Sequence, residues 1–344
     1  MLRSCVIWLW AALACFAQSG APFKLATFES NGKTALGIVI GGHVLDIAAA
    51  DTYLLKHGGG ATVKIPAEMR DLIERYEAVS PRLHQIASHF QAKEPAGLAF
   101  AHRLSEVRFQ APIKYPYNLL NMAANYHSHA KEMGVAKEVD PDVDDPYVFA
   151  KSPRSCIIDP DAAFFIPPGR DRIDWEGELA LVIGKPAKGV SLANAVDYIF
   201  GYSVMYDVSD RGGGKRSHAM FTGPDWFSGK SRDGAAPFGP YIVPKEFIPN
   251  YGNLRIVTRV NDRVVQDNTT ADMIYDVPHI MRYVTSIMTL YPGDVISTGT
   301  PAGVGVARKP PEFLKPGDVV SIEVEGIGTL RTPIQAAGGA GSSR

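Results

Sequence analysis

The chain has 344 residues, 35 Lys and Arg against 36 Asp and Glu, a net charge of −1, and 46% hydrophobic residues. That length exceeds what one small core needs and predicts two domains, or one large domain with an appendage. Charges so evenly balanced, with no Lys/Arg block, exclude the electrostatic footprint of a nucleic-acid binder, and 33 Gly with 25 Pro favour many turns and a β-rich chain.

The first element in chain order is MLRSCVIWLWAALACFAQSG. Arg3 supplies a positive start, residues 5–16 an apolar stretch, and small residues follow. This is the pattern of a secretory signal peptide over residues 1–19, too short for a membrane span. It predicts export, periplasmic or secreted, with no span left after processing; without such a signal the chain is cytoplasmic. Ala12-Leu13-Ala14 has the small-x-small form of a cleavage site, and a cut after Ala17 fits as well. Cleavage after Ala14 would leave Cys15 first, open to lipidation. Cys5 and Cys15 lie in or beside this segment, so Cys156 alone belongs securely to the mature chain. That rules out a disulfide framework and a thiolate metal site.

Residues 22–50 alternate apolar and polar around the turn signals Asn31-Gly32 and Gly41-Gly42, which predicts a small β-meander. Met69, Leu72, Ile73 and Tyr76 then follow a helical period, and Pro81 is expected to break this helix from a second one. Residues 92–118 are rich in loop signals, and a boundary near residue 110 divides a small N-terminal domain (20–110) from a larger one (111–335). The larger part reads as short strands between Pro/Gly turns. PGDVIS at 292–297 and PGDVVS at 316–321 each combine turn chemistry with the start of a strand. The small, polar end, residues 336–344, is expected to be disordered.

Chemistry first shows in DWEGELALVIG, 174–184. The apolar run predicts a buried strand, yet Glu176 and Glu178 sit at its front end. Side chains two apart on a strand share a face, about 6.6 Å apart. Two such carboxylates in a partly buried site resist ionising together, so a hard divalent cation held by oxygen is the simplest partner. A solvated edge with surface glutamates is the alternative. Farther on, IFGYSVMYDVSDR carries Asp207 at the end of an apolar strand, placed to be a third oxygen ligand; a turn-capping aspartate is the plainer reading. Three carboxylates with waters or substrate oxygens suit Mg²⁺ or Mn²⁺.

In NYHSHAKEMG, His129 and Glu132 are three apart, on one face of a helical turn, and His127 faces elsewhere. A carboxylate beside a histidine orients the ring and raises its basicity, as activating a water requires; a surface ion pair has the same spacing. Lys151 follows the apolar run of PYVFAKSPRS, and Lys230 follows two aromatics in DWFSGKSRDG. Either could stabilise a developing oxyanion or simply extend to water from a strand end. ISTGTPAGVG, 296–305, is a glycine-rich loop that offers Thr300 as a hydroxyl donor, and it matches neither a dinucleotide nor a phosphate-loop spacing.

In this order, NYHSHAKE, PYVFAKSP, DWEGELALVIG, GYSVMYDVSDR, WFSGKS, FGPYIV, VNDRVVQDNTTADMIY and LYPGDVISTGTPAGVG resemble the fumarylacetoacetate hydrolase family over about residues 119–330. The resemblance implies an α+β, predominantly β fold, a mixed β-roll preceded by a small β-rich domain, in a homodimer. It implies metal ligation by Glu176, Glu178 and Asp207, with Mg²⁺, Mn²⁺ or Ca²⁺ as the ion, and a lid dyad of His129 and Glu132. It also implies a polarising Lys230, a loop Thr300, an anion-facing Arg211, and substrate-side places for Lys151 and Gln266.

The implied reaction is hydrolysis of a C–C bond in small 1,3-dicarbonyl or 2-oxo acids through an enolate. Decarboxylation and isomerisation share the enolate step. A non-catalytic, exported ligand-binding member is the competing class, against which the intact His129–Glu132 pair stands. Two departures bear on the substrate. Members often carry glutamine where this chain has Gly214, and NLLNMAANY lacks a fourth carboxylate, so water is expected in that ligand position. Asn268-Thr269-Thr270 is a glycosylation sequon, relevant only to a eukaryotic, exported protein.

Overall fold

The computed structural model describes residues 21–57, 59–60, 62–135, 138–212 and 225–338. The expected signal segment, Gly214 and residues 339–344 lie outside them. The meander forms as its turn signals predict. Lys24–Ser30, Lys33–Ile40 and His43–Asp46 pair antiparallel, and Ala101–Arg103 and Arg108–Gln110 complete a five-stranded sheet. Asn31 and Gly32, with φ of 51° and 74°, supply the two left-handed residues that a tight hairpin matched to strand twist requires.

Helix Ile47–Lys56 starts on Asp46, whose side chain accepts from the Ala49 amide. The next helical stretch differs from expectation. Pro81 does not end a helix; it sits inside Tyr76–Ala92, and the interruption falls at Arg75, between Met69–Glu74 and Tyr76–Ala92. Proline removes one hydrogen bond and crowds the preceding turn, but Val79, Leu83, Ile86 and Phe90 keep an unbroken buried stripe through it. Burying that stripe outweighs the proline penalty, and the discontinuity lies upstream, at Arg75.

A six-stranded central sheet runs in the order Val243–Pro244, Ile199–Tyr206, Gly177–Ile183, Val295–Ser297, Leu119–Met122, Val148–Ala150. Every residue of Gly177–Ile183 and Ile199–Tyr206 is buried, because both faces of this sheet are covered. Ala180, Val182, Phe200 and Val295 pack with Leu25, Ile38, Leu72 and Leu83 of the N-terminal layer. Leu179, Leu181, Tyr202 and Ile296 pack with Ile256, Ile322 and Leu330 of a second five-stranded sheet. That sheet has the order Arg263–Thr269, Arg255–Val260, Val319–Val324, Gly328–Ala336, Phe164–Ile166.

The two Pro-Gly-Asp turns are built alike. Gly293 and Gly317 take φ of 86° and 96°, and Asp294 and Asp318 accept backbone amides, from Tyr291 at 2.9 Å and from Lys315 at 2.9 Å. The architecture is α+β and predominantly β. Among the described residues no helix is long and apolar enough to cross a membrane.

Candidate active site

The site forms where an apolar strand stripe becomes acidic. Glu176, Glu178, Ala180 and Val182 alternate onto one face; the last two enter the core and the first two lie beyond its edge. Gly177 pairs with Tyr206 across the antiparallel ladder, so Glu176 falls opposite Asp207, whose amide donates to the Glu176 carbonyl at 3.0 Å. The intervening residue must be glycine: a Cβ on Gly177 would lie 2.2 Å from Thr258 Oγ1. One ligand atom from each of Glu176, Glu178 and Asp207 lies within 4.8 Å of the others, and all three side chains are buried.

Three cations offset this negative charge. Lys230 Nζ donates to Glu176 Oε2 at 2.6 Å and to Asp207 Oδ2 at 2.8 Å. Lys151 Nζ stands 2.5 Å from Asp207 Oδ1. Arg211 forks between Glu176 Oε1 (2.5 Å) and Asp174 Oδ2 (2.9 Å). Burial by itself would raise the Glu176 pKa, but Lys230 and Arg211 reverse this and hold its carboxyl below the usual range. Glu178 goes the other way. Burial, then the neighbouring Asp207 and Glu176, push it well above the carboxylate range.

Glu178 accepts from Ser297 Oγ at 2.5 Å and from the Gly299 amide at 2.8 Å, both through Oε2. Its Oε1 is buried with no hydrogen-bond partner. A buried carboxylate oxygen without a partner is costly. The Glu178 carboxyl converges with two further carboxylates, a set of hard oxygen donors that fits a divalent cation such as Mg²⁺ or Mn²⁺.

Helix His127–Glu132 presents the predicted dyad. His129 is buried, His127 is exposed, and His129 Nδ1 lies 2.7 Å from Glu132 Oε1. The other Glu132 oxygen accepts the Gly303 amide at 2.9 Å, which fastens the dyad to the glycine-rich loop. His129 is also close enough to act electrostatically on Glu176.

Thr300 and Gln266 reach the same region, but their polar atoms are turned to the protein. Thr300 Oγ1 donates to the Gly177 carbonyl at 3.0 Å, and Gln266 Nε2 donates to Thr300 Oγ1 at 2.7 Å and to the Pro301 carbonyl at 2.7 Å. Gln266 Oε1 accepts the Gly177 amide at 3.0 Å. Together the two side chains fix the loop against the strand that carries Glu176 and Glu178.

Sequence reasoning missed Asp174. Fully buried, it accepts from the Trp175, Gly305 and Val306 amides at 2.9, 2.6 and 3.1 Å and orients Arg211. The signal was present, since Asp174 precedes Glu176 by two residues and continues the same alternation. Ser297 and Gly299 were missed as well; nothing local marks a residue as a partner of Glu178.

Comparison with known proteins agrees with this architecture. The family model described as fumarylacetoacetate (FAA) hydrolase C-terminal matches residues 118–335. An uncharacterized protein of Staphylococcus aureus (strain USA300) is 36% identical over 252 residues, 73% of this chain and 80% of that protein. A fumarylacetoacetate hydrolase from psychrophilic Exiguobacterium antarcticum aligns at TM-score 0.70 and 32% identity, over 91% of this chain and 99% of its own. Maleylpyruvate hydrolase from Sphingobium sp. SYK-6, solved with manganese(II) ion and pyruvate, aligns at 0.68 and 26%, over 91% and 99%. A 5-carboxymethyl-2-hydroxymuconate delta-isomerase from Mycobacterium smegmatis aligns at 0.66 and 29%, over 92% and 99%.

Proposed function

The chain belongs to the fumarylacetoacetate hydrolase family, and from that premise we propose that it is a divalent-metal-dependent hydrolase of C–C bonds in small 1,3-dicarbonyl or 2-oxo acids. One observation carries the reading: a buried triad of converging carboxylates lies beside a buried histidine held by its own carboxylate. Glu176, Glu178 and Asp207 would hold the cation, which supplies Lewis-acid polarisation of the substrate's oxygens when bound.

The chain's own groups account for the proton movements. With Nδ1–H turned to Glu132, His129 presents Nε2 as the basic nitrogen. It takes a proton from water, and the resulting hydroxide attacks the acyl carbonyl. The C–C bond then breaks, its electrons pass to the 2-oxo fragment as an enolate, and His129 returns the proton to carbon. Lys230 supplies positive charge on the side where the enolate oxygen develops, while Lys151, fully buried and donating to the Val208 and Ala235 carbonyls, holds Asp207 in place. Arg211 orients Glu176 and faces the anionic end of the substrate. Gln266 and Thr300 keep the loop and the ligand strand in register. A buried base poised for water favours hydrolysis over isomerisation or decarboxylation, which need no water attack.

The test is the ultraviolet absorbance of acylpyruvates, oxaloacetate and fumarylacetoacetate-like diketones with the purified protein, with Mn²⁺ or Mg²⁺ and then with chelator. Loss of diketone absorbance that chelator abolishes, with acid and 2-oxo acid as products, is expected. Metal binding without turnover across the panel would remove the hydrolase reading.

A further inference from the structure

Asn121, on strand Leu119–Met122, is fully buried, and neither its carboxamide oxygen nor its nitrogen has a hydrogen-bond partner among the described residues. A buried amide with its donors and acceptor unused is costly, and an apolar residue would fill the same place without that cost. Asn125, four residues on, shows the contrast. Its nitrogen donates to the Tyr275 and Thr298 carbonyls at 3.0 and 2.9 Å, and its oxygen accepts the Tyr275 amide at 2.8 Å. Those bonds account for Asn125; no such bonds account for Asn121.

The register of the central sheet brings Asn121 to the acidic site. Asn121 pairs with Ser297, and Ser297 with Ala180. Two residues earlier on its strand, Leu119 pairs with Val295, and Val295 with Val182, all three in the core shared with the N-terminal layer. Residues two apart share a face, so Asn121, Ser297 and Ala180 point the same way, on the face that carries Glu178. Ser297 Oγ accordingly donates to Glu178 Oε2 at 2.5 Å. On its other side Asn121 pairs with Phe149, whose ring centroid lies 5.3 Å from Lys230 Nζ, the ammonium bound to Glu176 and Asp207. Asn121 is thus flanked by the hydroxyl that touches one carboxylate and by the ring against the lysine that holds the other two.

Neighbouring strands lie about 4.8 Å apart, and one water bridging two partners spans about 5.5 Å. Glu178 Oε1 is itself buried without a partner. Resting on the metal-dependent reading above, we propose that Asn121 belongs to the cation centre: its carboxamide holds an ordered water that completes the oxygen set of Glu176, Glu178 and Asp207, which this sequence does not complete with a fourth carboxylate. A buried water needs about two to four polar partners, and the carboxamide and the carboxylates supply them. Asn121 is a positioning residue, acting on the ion through water and not on the substrate.

The experiment measures Mn²⁺ affinity by calorimetry and the thermal midpoint of the metal-free full chain. Asn121→Leu keeps the volume and removes the polar atoms. Its Mn²⁺ Kd is expected to rise at least about tenfold, while the metal-free midpoint stays level or rises, because an unpaired polar group has left the interior. Loss of a merely structural asparagine would lower the midpoint and leave the affinity alone. Asn121→Asp restores an oxygen at the same reach and should hold the native Kd or lower it. Asn121→Ala, which cannot overpack, gives the reading where the leucine does not fold, with a Kd raised about threefold or more. Native binding that stays within about twofold in the apolar variant overturns this proposal and leaves the triad as the cation site. So does a weakened affinity that Asn121→Asp fails to restore. Native protein that binds no Mn²⁺ removes the metal-dependent reading, and this proposal with it.

Discussion

Glu132 uses one oxygen for His129 and the other for the protein: Oε1 lies 2.7 Å from His129 Nδ1, and Oε2 accepts the Gly303 amide at 2.9 Å. The base and the glycine-rich loop are thus set by the same carboxylate. Removing the base should reduce chemistry without disturbing the metal ligands. His129→Ala is expected to lower kcat by about a hundredfold or more, the usual worth of a positioned base, with Mn²⁺ affinity unchanged by calorimetry. Glu132→Gln should fall in between, because the amide still reaches the ring without its charge. A His129→Ala enzyme within threefold of native turnover would show that another group activates the water.

The triad makes a metal-dependent stability prediction. Glu178 Oε1 is buried without a hydrogen-bond partner, and the Glu178 carboxyl converges with two further carboxylates. A cation that binds only the folded chain stabilises it by mass action, about 2.7 kcal/mol at a hundredfold excess over Kd. Mn²⁺ should therefore raise the thermal midpoint by several degrees, and chelator should reverse this. Glu178→Gln keeps the shape but removes a charged ligand, and the metal-induced shift should vanish while the metal-free protein stays folded. A midpoint indifferent to Mn²⁺ in the native chain would argue against a cation at the triad.

Gly303 has a backbone φ of 112°, and a Cβ there would come 2.1 Å from the Val265 carbonyl oxygen. Both the conformation and the close approach demand glycine. Gly303→Ala must shift the loop, and its amide is the donor that steadies Glu132. The expected cost is about 1–3 kcal/mol in stability, read from urea unfolding, together with a fall in kcat larger than any change in KM. A substitution silent in both would mean that the loop can move without carrying the dyad.

Local patterns carried much of this architecture, and long-range contacts decided the remainder. The meander was legible because Asn31-Gly32 has one favourable hairpin geometry, and the ligand strand because Glu176 and Glu178 obey a period of two. Pro81 misled because its penalty is local while the stripe Val79, Leu83, Ile86 and Phe90 draws its stabilisation from tertiary burial. Thr300 looked like a free donor because its loop is glycine-rich. Only the fold brings in Gly177 and Gln266, more than thirty positions away, to use its hydroxyl. Lys151 and Lys230 each read locally as strand-end lysines, and only the assembled sheet shows both against Asp207.

The helix that bears the dyad, His127–Glu132, is too short to be stable alone. It is held from outside by Asp272. Asp272 Oδ2 accepts from the Ser128 amide at 3.1 Å, from Ser128 Oγ at 2.5 Å and from Asn268 Nδ2 at 2.9 Å, and Ser128 Oγ in turn accepts the Ala302 amide at 3.2 Å. Asp272→Ala would leave these donors without their acceptor, a cost of about 1–3 kcal/mol concentrated on this one helix. A displacement of about 1 Å at a reacting group can cost a hundredfold in rate, so kcat should fall at least tenfold. Mn²⁺ affinity should hold, since no ligand touches Asp272. Amide exchange at residues 127–132 should accelerate while the central sheet stays protected, and Asp272→Asn, which keeps an oxygen acceptor, should restore part of the rate. Uniform acceleration of exchange across the chain would instead make Asp272 a determinant of global stability rather than of the position of His129.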